Sequence, residues 1–301
     1  MSIATASSRT ATASSRTATA SSSTTEAGVG PRDRSVPTRT LLTGLLLTLL
    51  TGTAVIHASS AAADQHAAAT ALRAPTPYEA TYQARARGMR TDAYRYLRAT
   101  DDEIFEVSHG LSVSILGANL ITVQETSQFR WADHGAMPLW YTFDQSGVRR
   151  RHEHVTFDWS SDRATVETDS GEYETAIHAG VLDNLSFSAQ MSAELYSRGE
   201  PGAQPLAVDQ VLTFQIIDGD EVDVHDYRIV SYETIETLVG ELDTVRLARV
   251  REPDSSRSTE IWLASDHEFV LARLVQIESS GSRTELLLKS LEQTTRVAAN
   301  D

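Results

Sequence analysis

From Tyr78 onward, apolar and polar residues of this chain follow the two-residue period of a β-strand. Tyr78, Ala80 and Tyr82 alternate with polar neighbours, and a turn at Gly88 leads into a second strand. Successive strand side chains point to opposite faces, so this pattern is typical of a half-buried sheet. Further strands are predicted at 104–107, 111–123, from 137 and at 148–159, the last of them largely polar and therefore exposed.

The C-terminal part predicts an antiparallel meander. Asp218-Gly219 is a two-residue hairpin turn between the strands 208–217 and 222–230. A second hairpin, 235–250, turns at Gly240. Strands at 261–263, 270–277 and 285–291 complete the series. Short, evenly spaced strands of this kind indicate an all-β barrel or a strongly curved sheet.

One segment, Val181 to Gly199, instead has the period of an amphipathic helix. Asp183 is suited to cap its N-terminus, because the carboxylate accepts from the free amides of the first turn. Two neighbouring apolar stripes run along it, and Gly199 followed by Pro201 ends it. These stripes contain Leu182, Leu185, Ala189 and Tyr196 in the first, and Phe187, Met191 and Leu195 in the second.

The predicted fold class is therefore all-β, mainly antiparallel: a strongly curved sheet or open barrel with one covering α-helix. The helix, predicted at 183–198, lies between the N-terminal and C-terminal sets of strands. A single helix in such a chain closes one end of a barrel or covers an open sheet.

The N-terminal region predicts export. Residues 1–40 contain a repeated Ser/Thr/Ala-rich unit that has no apolar surface to bury, which favours disorder. Residues 41–63 contain an apolar run and an Ala-rich end, and a basic patch precedes them, as in a signal peptide cleaved before Asp64. The expected location is the periplasm. The alternative is an inner-membrane anchor at 41–56, although that run is short for a span of about 20 residues.

The remaining chain divides simply. Residues 64–77, which end in two prolines, are predicted to be a linker; residues 78–292 form a single β domain; and 293–301 form a disordered tail.

Composition narrows the classes of partner. The net charge is −15, which makes nucleic acid an unsuitable partner because its phosphates would be repelled. There is no cysteine, which excludes disulfides, thiol nucleophiles and Cys-ligated zinc. The sequence has no glycine-rich phosphate loop and no EF-hand loop, and no cofactor is expected.

Six short motifs occur in the order found in a family of exported Gram-negative bacterial proteins of unknown function, which this chain resembles. The resemblance implies a periplasmic β protein with a strongly curved sheet, and it carries over no catalytic residues. By architecture alone the chain is also similar to the half-barrel carriers that move lipoproteins across the periplasm, and fold does not fix function. The motifs are Ser127-Gln128-Phe129, Pro138-Leu139-Trp140-Tyr141, Thr156-Phe157-Asp158-Trp159, 180–186, Thr237-Leu238-Val239-Gly240 and 261–266.

Aromatic residues are the candidates for ligand binding. Trp140, Tyr141, Trp159 and Trp262 are suited to lining a cavity for an apolar ligand, and equally to forming the core of a β domain. Asp158, beside Trp159, suggests an acid with a raised pKa, although a structural carboxylate at a turn fits the following serines better.

Two further sets have the residue types of a chemical site. His152 and His154 share one face of a strand and suit zinc or copper, but no third ligand is evident by spacing, and two surface histidines explain them as well. His178, Asp183 and Ser186 have the composition of a hydrolase triad. No G-x-S-x-G sequence accompanies them, and Ser186 falls in the first helical turn.

Three functions are carried forward. The first is a periplasmic, non-catalytic binding or carrier module for an apolar small molecule or lipid. The second is a cell-envelope assembly factor acting through protein contacts, which would show an exposed apolar patch or an unpaired edge strand. The third is an enzyme, which requires two or more titratable side chains in one cleft.

Overall fold

The computed structural model describes residues 71–294, except positions 87, 102, 116–117, 149, 200–205 and 220. The predicted disordered segment 1–40, the signal or anchor region 41–63 and the end of the predicted tail lie outside the described residues. Within them, one α-helix, α1 (Ser186–Gly199), follows the first nine of fifteen strands. The strands are β1 (Tyr78–Ala86), β2 (Met89–Asp101), β3 (Ile104–Ile115), β4 (Ala118–Ala132), β5 (Gly135–Gly147), β6 (Arg151–Asp158), β7 (Arg163–Thr168), β8 (Gly171–Ala176), β9 (Val181–Leu182), β10 (Val211–Asp218), β11 (Glu221–Thr237), β12 (Gly240–Arg249), β13 (Ser258–Ala264), β14 (Val270–Ile277) and β15 (Arg283–Gln293).

All of these strands belong to one sheet that is not closed. Its order is β8-β7-β6-β5-β4-β3-β2-β1-β15-β14-β13-β12-β11-β10-β9. Every pairing is antiparallel except that of β9 with β10. β1 pairs with β15 and joins the two halves of the chain at the middle of the sheet. β5 also contacts β9, although the two are far apart in strand order, so the sheet is strongly curved. The predicted fold class is confirmed.

Two strand predictions were wrong in detail. The segments expected as separate strands at 222–230 and 235–239 form the single strand β11, whose register shifts between Ile229 and Ser231. That bulge interrupts the alternation that the sequence pattern depends on. β6 is not simply exposed, because its inward residues Glu153, Val155 and Phe157 are buried.

The helix α1 lies against β4, β5 and β10 and is fixed from two sides. The side-chain carbonyl of Gln190 accepts from the Ala136 amide at 2.9 Å, at the β4–β5 turn. On the other side, the Ser192 hydroxyl donates to the Phe269 carbonyl at 3.0 Å, in the turn after β13. The helix α1 has 14 residues. Among the described residues, no helix is long and apolar enough to span a membrane.

The two apolar stripes of α1 enter two different parts of the core. Leu185, Ala189 and Ala193 belong to a buried cluster with side chains of β2 to β7. Met191 and Leu195 belong to a second cluster, formed mainly with β10 to β13. The helix therefore links the two halves of the sheet through apolar packing, which explains why both stripes are apolar.

Candidate functional site

A cavity of about 200 Å³ lies between α1 and the middle of the sheet. Side chains from β3, β2, β1, β15, β14 and β13 line it on the sheet side, and these six strands are consecutive neighbours in the sheet. The concave face is therefore not filled by its own side chains. Most of the lining is apolar, including Leu97, Leu185, Ile261, Leu263 and Leu271.

A row of titratable side chains crosses three neighbouring strands on this inner face. Arg95 of β2 stands opposite His109 of β3, which stands opposite Glu125 of β4. Arg95 and His109 line the cavity. The His109 Nε2 lies 3.3 Å from Glu125 Oε1, and the Tyr141 hydroxyl donates to Glu125 Oε2 at 3.0 Å. Cross-strand partners share a face of the sheet, so the register itself brings these groups together.

The Arg95 guanidinium donates hydrogen bonds to two neutral hydroxyls. Its Nε–H donates to the Tyr78 hydroxyl at 2.8 Å, and its Nη2–H donates to Ser188 Oγ on α1. Burial acts to lower the pKa of Arg95, but the neighbouring Tyr78, Tyr82 and Glu125 outweigh it and raise that pKa. Arg95 therefore remains charged inside the cavity.

Glu125 is the ionised carboxylate of the row. Burial acts to raise the pKa of Glu125, but the hydrogen bond and charge of His109, the Tyr141 hydroxyl and the charge of Arg95 together bring the pKa below its ordinary value. The carboxylate is thus paired with His109 and Tyr141, and Arg95 acts on it only through its charge.

The segment 71–77, assigned to a linker by the sequence, borders the cavity and is called here the strap. Arg73, Ala74, Pro75 and Thr76 all contribute to the lining. The Arg73 side chain donates to the Tyr196 hydroxyl and lies 3.5 Å from Glu268. The Arg73 and Glu268 side chains are 35% and 30% exposed, so this ion pair marks the rim of the cavity.

Asp183 and Ser186 form the start of the helix and not a hydrolase triad. The Asp183 carboxylate accepts from the Leu185 and Ser186 amides, each at 2.8 Å, which confirms the predicted cap. The Ser186 hydroxyl accepts from the Asp183 amide at 3.0 Å. His178 is exposed and outside this arrangement, and its carbonyl accepts from the Val181 amide.

The four aromatic candidates do not come together, and none of them lines the cavity. Trp140 stands opposite the exposed Thr156, and Tyr141 is buried with its hydroxyl on Glu125. Trp159 stacks on Phe157 at 5.8 Å between ring centroids. Trp262 lies between two guanidinium groups. The remaining contacts are Trp140 Nε1 to Gln128 at 3.2 Å, Trp159 Nε1 to the Pro138 carbonyl at 2.6 Å, Trp262 Nε1 to Glu233 at 2.6 Å, and Trp262 to Arg246 and Arg273 at 5.1 and 4.9 Å.

The two histidines of β6 lie at the surface away from the cavity. His152 Nδ1 lies 2.8 Å from Asp144 Oδ1, and His154 Nε2 lies 3.2 Å from Thr156 Oγ1. No group of three or more His, Asp or Glu side chains suited to hold a metal occurs among residues 71–294 where they are described.

Asp158 is a turn residue. Its carboxylate accepts from the Ser160 amide at 2.9 Å and from the hydroxyls of Ser160 and Ser161 at 2.6 and 2.8 Å. These hydrogen bonds lower the pKa of Asp158, and the one from the Ser160 hydroxyl has the largest effect. The shift is opposite to the one a general acid needs, and the alternative of a structural carboxylate at a turn is confirmed.

The sequence pattern did not lead to the polar residues of the cavity lining, although the sequence contains a signal for them. Arg95 lies two residues from each of the buried Ala93 and Leu97, in phase with the inner face of β2. His109 likewise follows the buried Phe105 and Val107 at two-residue spacing. Charged side chains in phase with an apolar face are uncommon and indicate a site.

Comparison with protein families gives one match that covers most of the chain. Residues 78–288 match the model described as a protein of unknown function, DUF3108, and the chain belongs to that family. No curated protein matches significantly.

Three solved structures resemble this one at low sequence identity. A β-barrel-like DUF1849 protein from Brucella abortus is 10% identical, with a TM-score of 0.49 over 75% of this chain and 100% of that one. A protein from Parabacteroides distasonis predicted to be a lipoprotein is 10% identical, with a TM-score of 0.31 over 74% and 99%. A protein from Bacteroides fragilis predicted to be exported, with a YmcC-like fold, is 9% identical, with a TM-score of 0.32 over 74% and 99%.

Proposed function

We propose that this protein is a periplasmic, non-catalytic carrier that binds an apolar small molecule or lipid in the cavity beneath α1. The cavity carries the proposal: about 200 Å³ of space lies in the middle of the sheet, with a mostly apolar lining. Ligand sites are typically concave, mainly apolar and equipped with a few polar groups that orient the ligand. Export rests on the signal-like segment 41–63.

An enzyme would require titratable side chains that lie close together, as Arg95, His109 and Glu125 do. The contacts of these three residues favour binding over catalysis. Among the described residues, Glu125 is the one recorded polar partner of the His109 imidazole. The hydroxyls of Tyr78 and Ser188 are both engaged with Arg95. A general base needs its nucleophile within hydrogen-bonding distance, and this arrangement places the imidazole against a carboxylate instead.

An assembly factor acting through protein contacts has one specific feature in its favour, the edge strand β8. That strand is almost fully exposed. It also carries Glu172 and Glu174, and charged side chains on an edge strand oppose pairing with a further strand. The cavity therefore supports the carrier role better than the edge supports the assembly role.

Native mass spectrometry of protein purified from the periplasm of its own host tests the carrier role. We expect a mass above that of the chain, which dissociates on activation. Leu271→Trp, in which the larger ring occupies the cavity, should lose this adduct, and the exposed Leu238→Trp should keep it. Circular dichroism first establishes that both variants are folded. A parent protein with no adduct, and no binding of added 1-octanol, would overturn the proposal.

A further inference from the structure

Arg95 is a charged side chain in a mostly apolar wall. It lines the cavity beside Leu97, Leu185 and Leu263. A guanidinium group has five N–H donors, and the two recorded hydrogen bonds of Arg95, to Tyr78 and Ser188, go to neutral hydroxyls. No carboxylate of the described residues lies within ion-pair distance of it. A charge beside an apolar cavity is costly unless it is paired.

The carboxylates nearest to the cavity already have partners. Glu125 lies across two strand spacings from Arg95 and is held by His109 and Tyr141. Glu268 lies at the rim and pairs with Arg73. One positive charge in the cavity is therefore left without a contacting anion from the described part of the chain.

The strap supplies a second polar group that lacks a partner from the described chain. Thr76 lines the cavity, is buried with 6% of the residue exposed, and has a hydroxyl without a hydrogen-bond partner among the described residues. A buried hydroxyl without a partner is destabilising. Thr76 and Arg95 belong to different elements, so two independent groups in one cavity call for a polar atom that the described chain does not provide.

We propose that the ligand is an amphipathic anion with a single carboxylate and a short aliphatic body. The inference rests on the proposed carrier function and deepens it. The carboxylate accepts hydrogen bonds from the free N–H donors of Arg95, whose planar fork matches a carboxylate. The one positive charge that lacks a contacting anion matches one negative charge on the ligand.

The volume sets the size of the apolar body. An engineered apolar cavity of about 150 Å³ holds one benzene ring, so a cavity of about 200 Å³ holds on the order of eight carbon atoms. Leu185, Ile261 and Leu263 then contact the aliphatic chain. Octanoate is a suitable probe of this class.

Three probes with the same chain and different head groups test the inference on the unaltered protein. Titration calorimetry compares octanoate, 1-octanol and octylammonium at pH 7 and low salt. A charge-assisted hydrogen bond should make octanoate bind about 10- to 100-fold more tightly than 1-octanol. Octylammonium should bind more weakly than 1-octanol, because its charge faces Arg95.

Two arginines of the same strand give the matched variants. Arg95→Gln should lower the affinity for octanoate to about that for 1-octanol and should weaken 1-octanol binding much less. Arg98→Gln, in which an exposed ion pair with Glu79 is removed, should leave both affinities unchanged. If Arg95→Gln does not fold, the comparison of head groups on the parent protein still decides the question.

The outcomes separate the two proposals. Equal affinity for octanoate and 1-octanol in the parent protein would overturn the anionic ligand and leave an apolar carrier intact. Failure of all three probes to bind, together with no adduct in native mass spectrometry, would overturn the carrier function itself.

Discussion

At the scale of single residues, Asp183 connects the helix to the sheet. Besides capping α1, its carboxylate accepts from the Ser127 hydroxyl of β4 at 2.6 Å, and the whole residue is buried. Burial raises the pKa of Asp183, and the hydrogen bonds from Ser127, Ser186 and Leu185 oppose that rise without cancelling it. The contact joins two motifs of the family resemblance, at 127–129 and 180–186.

We expect Asp183→Ala to lower the free energy of unfolding by about 2–4 kcal/mol, because it removes the cap and leaves the buried Ser127 hydroxyl without its acceptor. Urea unfolding measures this. Ser127→Ala should cost less, and the double variant should fall short of the sum by on the order of 1 kcal/mol, since the two side chains share one hydrogen bond. Strictly additive effects would show that the contact contributes nothing.

The charged residues of the cavity show why a correct strand prediction did not yield the site. The outer face of β2 carries Tyr94 and Tyr96, whose rings stack at 6.4 Å between centroids. Both faces of this strand are therefore rich in apolar atoms, so the sequence pattern does not show on which face Arg95 lies. The cap at Asp183 depends only on local spacing and was predictable, whereas its bond to Ser127 depends on register and was not.

At the scale of elements, α1 is the packing link between two clusters. Leu195 is buried at 4% exposure in the second cluster, as its four-residue spacing from Met191 and Phe187 predicted. Ser197, near the end of the same helix, is half-buried, and its hydroxyl donates to the Glu194 carbonyl at 2.9 Å. That bond is local to the helix and therefore contributes little to the packing of helix on sheet.

We expect Leu195→Ala to lower the free energy of unfolding by about 2–5 kcal/mol, through lost burial and a residual cavity, and to lower the melting temperature clearly. Ser197→Ala is the matched control on the same helix and should shift the melting temperature little. Thermal melts without ligand compare the two variants with the parent protein. Equal and negligible shifts would mean that α1 is a mobile cover and not part of the core.

At the scale of the whole molecule, the sheet, the helix and the strap together enclose the cavity. The sequence predicted a curved sheet under one helix but placed the folded domain from Tyr78. Prolines at 75 and 77 and the small residues before them have the composition of a linker. The strap is held by long-range contacts, and such contacts leave no periodic pattern in the sequence. Leu72 accepts from Trp131 Nε1 at 2.9 Å and donates to the Asp133 carbonyl at 3.0 Å.

The strap borders the cavity and has anchors on both sides of residues 74–76. Past Leu72, it is held by Arg73, which lies 4.8 Å from the Tyr196 ring centroid and pairs with Glu268, and then by the Pro77 carbonyl, which accepts from Thr294 at 3.1 Å. Residues 74–76 between these points line the cavity. Loosening Arg73 should therefore open a route to the cavity without disturbing either apolar cluster.

We expect Arg73→Ala to speed the dissociation of octanoate several-fold while changing the free energy of unfolding by about 1 kcal/mol or less, since an ion pair this exposed is worth little. Stopped-flow displacement measures the dissociation rate, and urea unfolding measures the stability. Arg98→Ala, which removes an exposed ion pair outside the cavity lining, is the control and should leave the rate unchanged. An unchanged rate in Arg73→Ala would place the ligand's route elsewhere on the cavity rim, because the strap would then open no faster without its rim contact.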